Sequence, residues 1–237
     1  MNALLVRVGA DQSAEGGRWN GPVDAGSGEF VYVAIPESFR VHPGLERPYI
    51  ALEKSLARLG RRLPPGLAGR HMHLDPDFER LTYGDRGQRG RQLRLCLGPG
   101  DWVVFYSSLA QTGGARRLVY ALIGWLIVDA IAMARDLPIC ERDCNAHTRR
   151  QLAPDADDIV VLGRPGESGR LRRCLPIGGW RDGAYRVRKD LLEAWGGLSV
   201  QNGWLQRSGR LPRFLDPERF RQWLDAQRPE LIARNNE

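Results

Sequence analysis

The segment LVYALIGWLIVDAIAMA, residues 118–134, constrains the fold more than any other part of the chain. Its apolar residues are nearly consecutive, so a strand built from them needs cover on both faces. Asp129 interrupts the run short of the about 20 apolar residues that a membrane-spanning helix requires. Residues 118–128 therefore read as a central, buried strand. Just upstream, GPGDWVVFYSSL supplies a partner: Gly98, Pro99, Gly100 and Asp101 form a turn, and residues 102–106 a second strand ending in the polar group Tyr106, Ser107 and Ser108. SLAQTGGARR, residues 108–117, reads as the loop of a loosely built hairpin.

The remaining pattern surrounds this hairpin. ALLVRV, residues 3–8, reads as an opening strand. A Gly-rich loop over 9–29 separates it from FVYVAIPE, whose alternation gives another strand, stopped by Pro36. Tyr49, Leu52, Leu56 and Leu59 recur at helical spacing, and GRRLPPGLAGR breaks that helix. The polar, doubly charged stretch 71–91 reads as a second long functional loop. CERDCNAHTRRQ is a short helix or ordered loop. DIVVLG and RLRRCLPI read as partner strands joined by RPGESG. The last fifty residues read as mainly helical, with Asp216 capping and Pro217 opening the final helix. These elements predict one α+β domain over 1–237, a mixed, strongly curved β-sheet surrounded by helices, with the core over about 1–180 and a helical part over 181–237.

Ordered elements and an ordinary composition exclude a disordered or fibrous chain. The formal charge is +7 and the pI about 9.7, which favours polyanionic partners. Lys54 and Lys189 are the only lysines, so the charge is almost all arginine, suited to bidentate phosphate contacts but also a simple outcome of a GC-rich genome. The short apolar N-terminal stretch has no cationic region before it, so no signal peptide is read and a cytoplasmic location is expected. Four cysteines without an export signal read as reduced thiols or metal ligands.

An ordered set of short matches resembles a known family. They are Arg7-Val8-Gly9-Ala10-Asp11, Gly16-Gly17, Gly21-Pro22, Glu29-Phe30, Ile35-Pro36-Glu37, Tyr83-Gly84-Asp85, Gly100-Asp101 with Phe105-Tyr106, and Asn145-Ala146-His147. In this order they resemble the third family of nucleotide-modification-associated domains, linked to DNA modification systems. The hairpin itself is similar to the central hairpin of PUA-like domains of the ASCH, EVE and YTH types, which implies a small barrel holding a nucleobase. The resemblance carries no catalytic residues.

Candidate site residues follow from chemistry. Tyr106 with Ser107, and Trp19, Asn20 and Tyr83 from the two long loops, offer stacking faces and hydrogen-bonding edges for a base; the bland alternative makes the aromatic rings sheet core. Asn145 and His147 can read a base edge or hold phosphate, or Asn145 simply caps a helix. Ser168 and Arg170 sit in a Gly-rich, basic hairpin edge able to touch a phosphate backbone. Asp11, Glu29, Asp75 and Asp85 are the candidate catalytic carboxylates, with Mg²⁺ as the cofactor such a site would use; Asp11 and Asp85 also suit turn capping. Cys140, Cys144 and His147 have zinc-ligand character, without the second knuckle of a structural site. His71, His73, Asp75 and Asp77 are a second candidate metal set. The leading expectation is a module binding a nucleotide or a modified base, without a cofactor, in DNA modification or phage defence, with DNA as the partner and no membrane association. The alternative is an enzyme of nucleotide or DNA modification, or of modified-DNA cleavage, at the acidic residues. A third reading is an interaction subunit with a basic protein-binding surface.

Overall fold

The computed structural model describes residues 1–113, 117–205 and 209–237. The strands are β1 (Ala3–Arg7), β2 (Pro22–Val23), β3 (Ile35–Pro36), β4 (Met72–His73), β5 (Thr82–Asp85), β6 (Trp102–Gln111), β7 (Leu118–Met133), β8 (Ile159–Gly163), β9 (Gly169–Pro176), β10 (Gly178–Arg181), β11 (Ala184–Val187) and β12 (Leu231–Ile232). The α-helices are α1 (Glu53–Arg58), α2 (Pro65–Ala68), α3 (Gly87–Cys96), α4 (Ala146–Arg149), α5 (Lys189–Ala194) and α6 (Pro217–Ala226). Short 3₁₀ turns precede α1 and α4. Among the described residues, no helix is long and apolar enough to cross a membrane.

The apolar run becomes β7, and β7 is the spine of the fold. It pairs with β6 on one side and with β9 and then β8 on the other, inside an eight-stranded mixed sheet of order β1-β6-β7-β8-β5. β1 joins β6 in parallel, and every pairing of β7 is antiparallel. The register of β7 shifts between Leu122 and Gly124 and again between Val128 and Ala130. Bulges bend the bulged strand and raise its twist. Asp129, the residue that breaks the apolar run, lies at the second shift and faces solvent. The sheet stays open: the α+β expectation holds, and the barrel alternative does not.

Both faces of the sheet are covered, as the composition of β7 demands. One face carries Leu4, Val6, Val103, Phe105, Ile123 and Leu126 under Phe30–Ala34, Tyr49, Leu56, Phe78 and Leu93. The other carries Leu5, Val104, Tyr106, Leu122 and Trp125 under Leu191, Trp195, Phe214, Phe220 and Leu224 from the C-terminal part. Gly124 is needed where β7 meets β9: a Cβ there would lie 2.4 Å from the Gly169 carbonyl oxygen and 2.7 Å from the Phe78 ring.

Several local expectations are corrected. β6 runs to Gln111, so Tyr106, Ser107 and Ser108 lie within a strand, not at its end. The tip of the connecting loop, 114–116, is outside the described residues. Residues 71–91 are not one loop; they contain β4, β5 and the start of α3. The 30–37 segment is buried but contributes only β3 to a sheet, pairing with β4. β8 and β9 do not form a hairpin with each other, because both pair with β7. Among the described residues the C-terminal part is helical in α5, α6 and a 3₁₀ turn at Gln201–Gly203, and it includes the β10–β11 hairpin. There Asp216 caps α6 as expected, accepting from the Arg219 N–H at 3.1 Å, with Pro217 at its first position.

Candidate functional site: a cationic cleft over a His–Asp–His floor

At the edge formed by β5, the chain opens into a cleft of about 540 Å³. Its floor is built from separate segments of the chain. β4 supplies His73, and Asp75 follows it two residues on; β5 supplies Tyr83, Gly84 and Asp85; α4 and its C-cap supply His147 and Arg150. Glu37 and Asp158 stand behind the floor, bonded to its histidines.

α4 is a single turn, too short to form alone, and is fixed by a capping box. Asn145 accepts from the His147 N–H at 2.9 Å, while the Thr148 hydroxyl accepts from the Asn145 N–H at 3.0 Å. Asn145 also reaches the floor, where its Nδ2 donates to Asp75 Oδ1 at 2.8 Å and to Thr82 Oγ1 at 3.1 Å. The helix is held from below by Arg149, buried and paired with Asp77 at 2.5 Å. Asp77 in turn accepts from Asn235 Nδ2 at 3.0 Å, tying the C-terminal tail to the site.

Each histidine of the floor is held by a carboxylate behind it. His73 Nδ1 lies 2.7 Å from Glu37 Oε2, and His147 Nδ1 lies 2.5 Å from Asp158 Oδ1. A carboxylate only accepts, so each of these contacts calls for a proton on Nδ1; at His73 the Arg150 Nη2, itself only a donor, lies 3.0 Å from the same nitrogen and competes with Glu37 for it. Asp75 uses Oδ1 to accept from the Gly84 N–H, at 2.8 Å, and from Asn145. Its Oδ2 faces His73 Nε2 at 4.0 Å and His147 Nε2 at 3.8 Å. Three atoms of buried residues thus look at one another at the bottom of the cleft. Burial pushes the Asp75 carboxyl up to about 6, against the pull of His147, Asn145 and the Gly84 N–H. Burial, helped by the nearby Arg150 guanidinium and against the hydrogen bond to Glu37, pushes His73 down to about 4. Burial also raises Glu37, but His73 and Arg150 outweigh it and hold that carboxyl at about 2. Arg150 reaches Glu37 Oε1 at 2.9 Å.

The walls are cationic and carry one exposed ring. Arg7, Arg70, Arg86, Arg89 and Arg150 line the cleft. Arg7 pairs with Asp11 at 3.2 Å and Arg89 with Asp85 at 2.9 Å. Among the described residues, no carboxylate forms an ion pair with Arg70 or Arg86, both exposed. Phe39 is 43% exposed at the cleft wall, with the Arg86 and Arg150 guanidinium carbons 4.5 and 4.2 Å from its ring centre. Tyr83 donates to Asp85 at 2.5 Å and accepts from Arg89 at 2.8 Å.

Of the residues singled out from sequence, the structure brings together His73, Asp75, Tyr83, Asp85, Asn145 and His147. Others lie elsewhere. Tyr106 belongs to the core on the far face and donates to the Leu205 carbonyl at 2.8 Å. Ser107 is buried beside Gly9, and Trp19 packs on the first core. Asp11 and Asn20 line a separate depression of about 370 Å³ with Arg7 and Ser108, where Asn20 Nδ2 donates to the Ser108 carbonyl at 2.8 Å. Glu29 and Arg170 line a small recess; Arg170 stacks over Phe30 and donates to its carbonyl at 2.6 Å. Ser168 Oγ accepts from the Ile127 N–H at 3.0 Å, a sheet contact. Cys140 is exposed, Cys144 contacts Thr148, and His147 points to Asp158, so the Cys–Cys–His set is not assembled. His71 is exposed and Asp77 is held by Arg149, which leaves His73 and Asp75 as the cleft members of that segment. Sequence reasoning missed Asp158, Phe39, Arg70 and Arg86. The one signal for Phe39 was a large aromatic in the otherwise polar stretch ESFRVHPG.

The fold and the site define an open-sheet α+β protein with an arginine-walled cleft above a buried His–Asp–His floor. The chain belongs to the nucleotide modification associated domain 3 family, whose model matches residues 2–230. Neither the curated proteins nor the solved structures contain a match. The family ties the chain to nucleotide modification, in agreement with the resemblance read from sequence.

Proposed function

We propose that the cleft binds a nucleotide unit of DNA and that the protein acts chemically on it. The observation that carries this is the pairing of an arginine wall with a buried, oriented His–Asp–His floor. Arg70 and Arg86, exposed and in no ion pair with a carboxylate among the described residues, suit a phosphate, since guanidinium binds phosphate through two parallel hydrogen bonds. Phe39, the exposed ring of the wall, suits stacking on a base or sugar; the Tyr83 ring, proposed from sequence as a stacking face, is instead core packed on Phe105. A pure reading pocket needs donors and acceptors matched to a base edge. Here two histidines and an aspartate instead turn bare acceptor atoms towards one point, and carboxylates behind them fix both rings. Such buried groups are costly to hold, and perturbed carboxyl and imidazole groups cluster where chemistry occurs. These features favour an enzyme over a passive binding module, with Asp75 and the two histidines as its working groups and Asp85 as a positioning partner of Tyr83 and Arg89.

The test is a thermal-shift series with deoxynucleotides, modified deoxynucleotides and short oligonucleotides, in the presence of EDTA. Ligand at a hundred times its Kd stabilises the folded state by about 2.7 kcal/mol, an easily read shift. Binding should weaken when the 5′-phosphate is removed and in the Arg70→Ala/Arg86→Ala double variant, and should survive Asp75→Asn. If no nucleotide or oligonucleotide stabilises the protein, the reading fails. Turnover of oligonucleotides that is lost in Asp75→Asn while binding persists establishes the enzyme.

A further inference from the structure

Three possible ligand atoms converge on the floor of the cleft. His73 Nε2, Asp75 Oδ2 and His147 Nε2 lie within 4.8 Å of one another. Each imidazole has its other nitrogen against a carboxylate, Glu37 for His73 and Asp158 for His147. That arrangement fixes the tautomer, orients the ring and raises ligand basicity in metal-binding histidines. The free oxygen of Asp75 is aimed between the rings because its other oxygen is held by Gly84 and Asn145. At the floor, Glu37, Asp75, Asp85 and Asp158 stand against Arg89 and Arg150, each bonded to one of those carboxylates.

The geometry points to a divalent metal centre formed by His73, Asp75 and His147, with its remaining coordination positions open to the cleft. Metal–ligand bonds of about 2.0–2.2 Å bring such ligand atoms to about 3.0–3.5 Å of one another. The Asp75 Oδ2 distances of 4.0 and 3.8 Å therefore need closing by roughly 0.5–1 Å, and the 4.8 Å span of the three atoms by roughly 1.3–1.8 Å. Two imidazoles and one carboxylate select a borderline first-row ion such as Fe²⁺, Co²⁺ or Zn²⁺ over Mg²⁺ or Ca²⁺, which prefer all-oxygen sites. An ion there would face a substrate between the arginine walls. The inference shares the cleft with the proposed function but needs no nucleotide, so the two can fail separately.

The experiment uses the full-length, tag-free protein, stripped with EDTA and dialysed, and titrated with Co²⁺ under anaerobic conditions. Visible absorption and calorimetry report binding, and Zn K-edge X-ray absorption of the zinc-loaded wild type reports the ligands. One equivalent should bind, with two imidazole nitrogens in the coordination sphere. His147→Ala and Asp75→Asn should abolish that step. Asp158→Asn should weaken it about 10–100-fold, while His71→Ala and Cys144→Ser should leave it unchanged. Absence of stoichiometric binding by the wild type overturns the inference. So does binding that persists in both His147→Ala and Asp75→Asn, or that is lost in Cys144→Ser. If His147→Ala does not fold, the wild-type X-ray absorption decides alone: a sphere with sulfur or without paired imidazoles refutes the site.

Discussion

Replacing Gly84 by alanine gives the sharpest test of the floor. A Cβ built on Gly84 lies 2.3 Å from His147 Cδ2, 2.6 Å from Asn145 Oδ1 and 2.7 Å from His147 Cγ. Ordinary carbon–carbon contact is about 3.5–4.0 Å, so the imidazole must retreat by more than about 1 Å. It has little room to do so. Its Nδ1 is held at 2.5 Å by Asp158, and its backbone N–H is held by Asn145, the second residue the methyl would strike. Overpacking of this kind costs about 1–3 kcal/mol. If the ring gives up Asp158, a charge-assisted hydrogen bond worth about 1.5–3 kcal/mol is lost as well. A total of about 3 kcal/mol is expected, or roughly 6–12 °C in Tm for a domain of this size. Urea unfolding followed by circular dichroism measures it, with Gly66→Ala as the control. Gly66 has nothing within 4 Å of its added Cβ and lies in α2, where alanine stabilises by about 0.5–1 kcal/mol. ¹⁵N-histidine NMR follows the ring directly. A Gly84→Ala protein within about 0.5 kcal/mol of wild type, the ordinary spread for surface changes, with unshifted His147 signals, would refute the close approach of β5 to α4 on which the floor depends.

Two further outcomes are expected. Arg149→Met leaves the Asp77 carboxylate buried beside Asn235 and should cost about 3–5 kcal/mol in urea unfolding; a loss below about 1 kcal/mol would match only an exposed pair and contradict the buried network. In EDTA, acid should destabilise the protein chiefly through Glu37, whose carboxyl is held at about 2 against an ordinary 4.5. The unfolded chain binds the proton first, so the contribution of up to about 3 kcal/mol is complete above pH 4.5 and is lost as pH falls towards 2. Between about pH 4 and 6, depressed His73 and raised Asp75 act with opposite signs and largely offset. Urea midpoints measured from about pH 7 down to about 2.5 should therefore fall mainly below 4.5 in the wild type and less steeply in Glu37→Gln. A fall concentrated between about pH 7 and 5 contradicts this assignment.

Much of the scaffold was legible in the sequence because its signals are local. A consecutive apolar run fixes a strand buried on both faces, Asp216 followed by Pro217 fixes a helix start, and an ordered set of short motifs identifies the family. α3 was not legible: it contains Gly87 and Gly90, and Leu93 is its one buried large side chain. Nor did the polar character of residues 71–91 reveal that β4 and β5 run through them. The tertiary structure alone decided which of the polar residues meet. Tyr106 and Asn145 look equally suited to a ligand, yet the alternation of β6 turns Tyr106 to the far core while Asn145 reaches Asp75 across seventy positions. Glu37, His73, Asp75, Gly84, His147, Arg150 and Asp158 come from segments that only sheet pairing and the α4 turn bring together. Residue type and spacing reveal what a side chain can do. Burial and the direction of its free atoms depend on what packs against it, and here that choice is made by distant parts of the chain.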